Sequence, residues 1–309
     1  MRTKVAWTVV ALSMISALWG QDLTPRAYTI TPLHANAVTL TYSYSTGSLD
    51  FNGSIPVTGA TGEFSVPSVA YYHSFNFFGR SANFVAALPY GIGNFEGEFQ
   101  DQVHQRYKSG LFDSVFRFSV NLKGGPAMQG REFARWKQKT ILGASVKVIP
   151  PTGQYDDTRI INWSTNRWSL KPELGYSRRI RDKWLLDGYG GVWFFTANSQ
   201  FFTGAALATQ KQAPIGALEG HISRDFRPFL WFSFDGNFWF GGTTTTGGVT
   251  NSATRQTSSR LGCTGSFPID KGKHNTIKAS VSRGAYVRFG GNYTNFSIAW
   301  QYSWLGRPK

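Results

Sequence analysis

The sequence predicts an all-β chain, a transmembrane antiparallel up-and-down barrel of about twelve strands with one short periplasmic helix. Three observations lead there. Large apolar side chains alternate with small or polar ones along almost the whole chain, the period of a strand whose successive residues face opposite ways. Aromatics reach 16%, with 34 Gly, yet the mean hydropathy is only −0.25. Short and long connections alternate between the periodic segments, as in barrels with tight periplasmic turns and long outer loops.

The 309 residues suffice for two domains or one large barrel. Residues 1–20, MRTKVAWTVVALSMISALWG, carry Arg2 and Lys4 before an apolar run. That is the layout of a secretory signal peptide, with cleavage expected after Gly20 and Ala17 as the second candidate. An uncleaved anchor is the alternative, but the run is short for a span of ~20 residues. The barrel is then expected over 21–309. Export and barrel together imply the outer membrane of a Gram-negative bacterium. The single Cys263 excludes a disulfide scaffold, and a closed barrel is a fold that hydrogen bonding alone can complete.

The strands follow in order. Val38, Leu40, Tyr42 and Tyr44 share one face. Ser65 to Phe77 follows, then a short link at 78–81 and the face of Ala82, Phe84, Ala86, Leu88 and Tyr90. Phe116, Phe118, Val120 and Leu122 oppose Arg117, Ser119 and Asn121. Leu142, Ala144, Val146 and Val148 oppose Ser145 and Lys147, and Trp168, Leu170, Leu174 and Tyr176 oppose Lys171 and Glu173. KWLLDGYGGVWFF, PIGALEGHIS, RPFLWFSFDGNFWF, SSRLGCTGSF and NTIKASVSRG come next. FSIAWQYSW, Phe296 to Trp304, closes the set, with Phe296, Ile298, Trp300, Tyr302 and Trp304 on one face. Short links fall near 78–81, 179–183, 224–228 and 268–273; longer polar ones near 46–63, 91–110, 150–166, 196–212 and 241–257. A soluble sandwich gives no reason for that asymmetry, so the greasy face is assigned to lipid.

Two segments resist the pattern. KGGPAMQGREFARWKQK (123–139) sits on the short side and reads as a short, basic amphipathic helix, expected to cap the periplasmic rim, with a membrane-surface contact or a lumen plug as alternatives. Extending the face of Ile277, Ala279 and Val281 puts Arg283 toward lipid, at a cost of about 2–4 kcal/mol at mid-membrane. Either the membrane segment stops before it or a bulge at Gly284 switches the faces. GGTTTTGG (241–248) reads as a low-complexity loop.

Motifs for chemistry are sparse. GIGNFEG (91–97) has the spacing GxGxxxG and no βαβ context, so it is no phosphate loop. His34, His73, His104, His221 and His274 are scattered, so no metal site is expected, nor any cofactor. His221 and Ser223 have the spacing of the pair in outer-membrane phospholipases, but parity turns Glu219, His221 and Ser223 toward the lumen, whereas a lipid-cleaving site must face lipid. No catalytic residue is expected. The formal charge of +15 becomes +13 once Arg2 and Lys4 are removed. It suits anionic headgroups or solutes better than nucleic acid, which an exported protein does not meet.

LPYGIGNFEG (88–97), FRFSVNLKGGPAM (116–128), EFARWKQKTILGASVKVIPPTGQYD (132–156), INWSTNRWSLKPELGYS (161–177), FDGNFWFGGTTTTGG (234–248) and WQYSW (300–304) together resemble the outer-membrane family labelled "MetA-pathway of phenol degradation". The resemblance implies an outer-membrane barrel for uptake of aromatic or other hydrophobic compounds, with outer-membrane lipid, the barrel assembly machinery and a small-molecule solute as partners. It supplies no catalytic residues. One departure is that LGRPK follows Trp304, where such barrels usually end on an aromatic.

The expected function is a passive channel or transporter for small molecules. The residues expected to line it are Arg117, Lys147, Lys171, Glu173, Asp187, Glu219, His221 and Asp235, with the aromatics Tyr189, Trp193, Trp231 and Trp239. A structural charge network filling the lumen is the alternative role for the charged ones. A non-conducting structural or adhesive barrel and a lipid-modifying enzyme are the rival functions.

Overall fold

The computed structural model describes residues 23–50, 58–99, 102–159, 161–203, 206–272 and 274–306; the expected signal peptide lies outside them. The strands are β1 (Ala35–Asp50), β2 (Thr58–Phe77), β3 (Arg80–Phe99), β4 (Gln102–Leu111), β5 (Val115–Lys123), β6 (Thr140–Ile149), β7 (Ser169–Ile180) and β8 (Trp184–Phe195). They continue as β9 (Asn198–Phe202), β10 (Leu207–Gln212), β11 (Ile215–Arg227), β12 (Leu230–Gly241), β13 (Thr244–Thr246), β14 (Val249–Asn251), β15 (Gln256–Pro268), β16 (Asn275–Val287) and β17 (Gly290–Leu305).

Twelve of these form a closed antiparallel ring: β1, β2, β3, β5, β6, β7, β8, β11, β12, β15, β16 and β17. The first and last strands shut it, with Ala35 opposite Leu305 and Asp50 opposite Gly290. Closure leaves no unpaired edge inside the hydrocarbon, where an unmatched backbone group costs several kcal/mol. The turns are tight at one end. Between β2 and β3 they comprise Phe78 and Gly79, both at positive φ (50° and 81°), the geometry that follows the strand twist. The N-terminal end of β1 and the C-terminal end of β17 lie at that end too, which is the periplasmic one in an outer-membrane barrel.

Burial is inverted relative to a soluble protein. Along β7, Ser169, Lys171, Glu173 and Ser177 are buried while Leu170, Leu174 and Tyr176 are exposed. On β17, Phe296, Ile298, Trp300 and Tyr302 are likewise exposed. FSIAWQYSW therefore turns its large side chains to lipid.

The outer connections are more structured than the sequence suggests. β1, β2 and β3 run on past the apolar band through most of 46–63 and 91–110, and β4 doubles back along β3 from Tyr90 to Phe99. β9, β10, β13 and β14 form a separate four-stranded sheet. GGTTTTGG contributes β13, where Thr244 Oγ1 donates to Thr254 Oγ1 at 3.0 Å; Thr favours strands, and this run is part of a sheet rather than a loop.

Arg283 stays on the outer face, between Leu261 on β15 and Thr294 on β17, the latter paired with Thr46 on β1. A register shift between Ser259 and Arg260, opposite Gly284 and Tyr286, follows it. The irregularity comes after Arg283 and so does not turn it inward.

The 123–139 connection caps the periplasmic end. Its helix is short, a single turn over Gly130–Phe133. Met128 is buried with Tyr28, Ile30, Ile141 and Tyr189, and Phe133 and Trp136 pack against them. The part that enters the lumen is a different one, the run from Leu23 to Leu33 ahead of β1. It joins the wall through His34, at φ 61°, whose N–H donates to the Ser74 carbonyl.

Candidate functional site: the barrel interior

Strand register sets two charged rows across one half of the wall. Arg117, Lys147 and Lys171 are direct neighbours on β5, β6 and β7. Asp187, His221 and Asp235 are direct neighbours on β8, β11 and β12. Like charges opposite one another repel, so the cationic row needs compensation, and Glu173 and Glu219 supply it. Lys171 Nζ lies 2.5 Å from Glu173 and 3.1 Å from Glu219, and Arg117 is 3.7 Å from Glu173. In the other row, His221 Nδ1 is 2.9 Å from Asp235 and Nε2 is 3.6 Å from Glu219. Thr264 Oγ1 donates to the remaining Asp235 oxygen at 2.7 Å.

The N-terminal run lies against these groups. Thr24 Oγ1 donates to Glu219 at 3.1 Å, and the Arg26 N–H to Asp187 at 3.3 Å. The Arg26 guanidinium donates to Ser223, pairs with Asp225 at 2.6 Å and lies over the Trp231 ring. Tyr189 accepts from the Ala27 N–H, and Arg117 donates to the Ala27 carbonyl. Tyr28 donates to Glu173 and shares a hydrogen bond with Ser145, both at 3.0 Å. Its ring needs room that only glycine leaves: a Cβ on Gly143 or Gly175, cross-strand partners, would lie 2.2 or 2.1 Å from a ring carbon.

All twelve nominated residues thus turn inward, but into different surroundings. Arg117, Glu173, Asp187, Tyr189, Glu219 and Trp231 hold the N-terminal run. Lys171, His221 and Asp235 pair within the wall. Trp193 and Trp239 pack with Ile149, Ile215 and Ala217, and Lys147 lies over the Trp193 ring.

The other half of the wall carries none of those twelve residues except Trp231, Asp235 and Trp239 on its bordering strand β12. There β1, β2, β15, β16 and β17 enclose a cavity of about 300 Å³ between the wall and Leu23 and Thr24. Its surface is hydroxyl-rich, with Thr41, Ser43, Ser45, Ser280, Ser282 and Ser297. Arg260 stands at its edge, donating to Ser282 and to the Tyr293 carbonyl. The signal was available, since these are the small members of the same alternation. Above the cavity, toward the outer end, Phe64 meets Tyr293 edge-on at 5.0 Å. Trp163, from the β6–β7 connection, packs on Phe95 and Phe112. These rings narrow the passage from above while the N-terminal run narrows it from below.

His221 and Ser223 do not form a nucleophile–base pair: the imidazole faces Asp235 and Glu219, and Ser223 accepts from Arg26. No group of three or more His, Cys, Asp or Glu among the described residues is arranged to hold a metal ion.

The model of the family described as MetA-pathway of phenol degradation matches residues 46–298. The chain belongs to that family. The match runs from the outer third of β1 to the middle of β17 and so takes in the paired rows, the β16 and β17 side of the hydroxyl wall and the aromatic ceiling, but not the N-terminal run. In structure the chain is similar to the COG4313 outer membrane channel from Pseudomonas putida F1, with a TM-score of 0.74 and 17% identity over 92% of this chain and 100% of that one. It is similar at the level of fold to the β-domain of the Bordetella autotransporter BrkA, with a TM-score of 0.51 and 12% identity over 88% and 100% of the two chains. The transport unit of the Escherichia coli autotransporter AIDA-I gives a TM-score of 0.51 and 10% identity over 94% of each. No curated protein sequence matches the chain.

Proposed function

We propose that this family member is a narrow outer-membrane channel for small, uncharged or weakly acidic molecules with an apolar face, and that solutes pass along the hydroxyl wall rather than through the charged rows. The observation that carries the reading is the cavity of about 300 Å³ left between the N-terminal run and that wall. It is about the room of ten waters, enough for one small solute at a time. Phe64, Val66, Phe112 and Tyr293 give it an apolar side beside its hydroxyls. The charged residues are engaged with one another and with residues 24–28, which makes them the setting of the N-terminal run. The similar fold of the Pseudomonas putida outer membrane channel supports a channel, and the family's phenol-degradation label supports an aromatic solute. The protein is not proposed as an enzyme, because the inward polar groups pair with each other.

Single-channel recording in planar bilayers tests the reading. Small conductance steps from the whole barrel, larger ones from a variant lacking residues 23–33, and steps reduced by Ser297→Trp on the hydroxyl wall are the expected results. No conductance from either the intact or the shortened barrel would leave the non-conducting structural role.

A further inference from the structure

Basic residues crowd the periplasmic end of one sector of the wall. Two of them, Arg178 on β7 and Arg224 on β11, are on the outer, lipid-facing side, flanking the end of β8. Arg178 is opposite Leu186 on β8, and Arg224 is opposite Trp184 on the same strand. Two ladder spacings and a two-residue stagger put their Cα atoms about 12 Å apart, so two long side chains can meet over one group between them. The Arg224 guanidinium lies 5.4 Å from both the Trp184 and the Phe226 ring centroids. Neither arginine forms an ion pair with a carboxylate among the described residues. Asp225, the nearest acid in sequence to Arg224, faces inward to Arg26 and Arg179.

The surroundings fix the kind of partner. Ile180, Trp184, Leu186 and Phe226 are exposed beside the two cations, so the cluster is apolar as well as positive and sits where a bilayer meets water. A soluble acidic protein would have no use for the apolar part. Toward the bilayer centre the outer surface then becomes bare backbone at the cross-strand pair Gly188 and Gly220, where an added Cβ would meet nothing within 4 Å.

We propose that Arg178 and Arg224 clamp the phosphate of an anionic glycerophospholipid of the periplasmic leaflet, with Trp184 and Phe226 against its glycerol region and an acyl chain rising over Gly188 and Gly220. Guanidinium suits this task because its planar fork meets phosphate oxygens two at a time and stacks on rings. The site does not depend on the barrel conducting.

The test is native mass spectrometry of the full barrel in detergent, titrated with phosphatidylglycerol or with phosphatidylethanolamine. The wild type should retain phosphatidylglycerol preferentially, and inorganic phosphate at equal concentration should not displace it. Arg178→Gln with Arg224→Gln should weaken retention by at least about tenfold, the loss of one charge-assisted contact. Arg283→Gln, at the other end of the barrel, should leave it unchanged. Equal retention of the two lipids by the wild type, or undiminished retention by the double variant, overturns the proposal. So does displacement by polyglutamate, which would assign the cluster to an acidic protein. Should the double variant fail to fold, the preference of the wild type between the two lipids still decides.

Discussion

Tyr28 and Gly175 fit as ring and socket: a Cβ on Gly175 would lie 2.1 Å from the Tyr28 ring, and the ring's hydroxyl reaches Glu173, two residues along the same strand. This contact locks the N-terminal run to β7. Gly175→Val should eject the ring and free the run, so added protease should cut near residues 24–30 in the variant and not in the wild type. Tyr28→Phe keeps the ring and loses only the hydroxyl contacts, worth about 0.5–1.5 kcal/mol, and should stay resistant. Equal resistance of all three proteins would show that the socket does not hold the run.

Among the described residues, Lys171 is the only cation within 3.5 Å of both Glu173 and Glu219. Lys171→Met removes it and leaves Glu173 with the more distant Arg117 and Glu219 with His221, a loss of up to about 3–5 kcal/mol. Adding Glu173→Gln and Glu219→Gln should recover most of that. The readout is the urea midpoint at which heat-modifiable gel migration is lost. A single variant as stable as the wild type would mean that water already solvates these carboxylates.

Ile298 and Ser297 are adjacent on β17 but face lipid and lumen. Ile298→Arg should destabilise the barrel by about 2–4 kcal/mol if it lies near the midplane. Ser297→Ala, which removes one hydroxyl contact with Ser43, should cost no more than about 1 kcal/mol. Refolding into bilayers compares them, and equal costs would contradict the assignment of faces.

In the β15–β16 turn, Asp270 accepts from the backbone N–H groups of Asn275 at 2.7 Å and His274 at 3.1 Å. The Asn275 contact, followed by that of His274, holds the Asp270 carboxyl below its ordinary value. A depressed carboxylate contributes its stabilisation above its unfolded value and loses it as pH falls through the folded one. The Asn275 amide resonance should therefore move only at a pH below the ordinary aspartate range. A transition within that range would show the contacts to be absent in solution.

The charge excess sits at the periplasmic mouth, while the interior cations Arg117 and Lys171 have acidic partners. Over a Debye length of about 8 Å at physiological salt, such a mouth enriches anions only locally. Reversal potentials across a salt gradient should show a weak anion preference that fades as salt rises. Strong preference at high salt would place an unscreened cation at the constriction.

The architecture was legible because alternation is a local property: each strand states its own two faces, and Lys171 and Glu173 turn inward on β7 as their parity demands. Partnership was not legible. That Arg117, Lys147 and Lys171 form one row depends on the register of three strands, and register is fixed by the assembled sheet. The N-terminal run escaped notice because Leu23 to Leu33 has no two-residue period and no helical one; its conformation comes from side chains some 40 to 200 positions away. The outer extensions are not legible as strands because their Ser, Thr and Gly look the same in a loop as in a strand beyond the lipid.

The seam between β1 and β17 joins residue 35 to residue 305, and the run bound inside the lumen comes immediately before residue 35. Contacts so distant in sequence form late, so the wall can shut only once its final strand has arrived. By then residues 24–28 must already lie among side chains of β5 to β12, or they would have to be drawn in through a mouth that 123–139 caps. The barrel is thus wrapped around the run that leads into its first strand. Deleting residues 23–33 should speed the last step of refolding, measured as the rate at which the compact gel form appears, since one fewer piece must be in place before the ring closes.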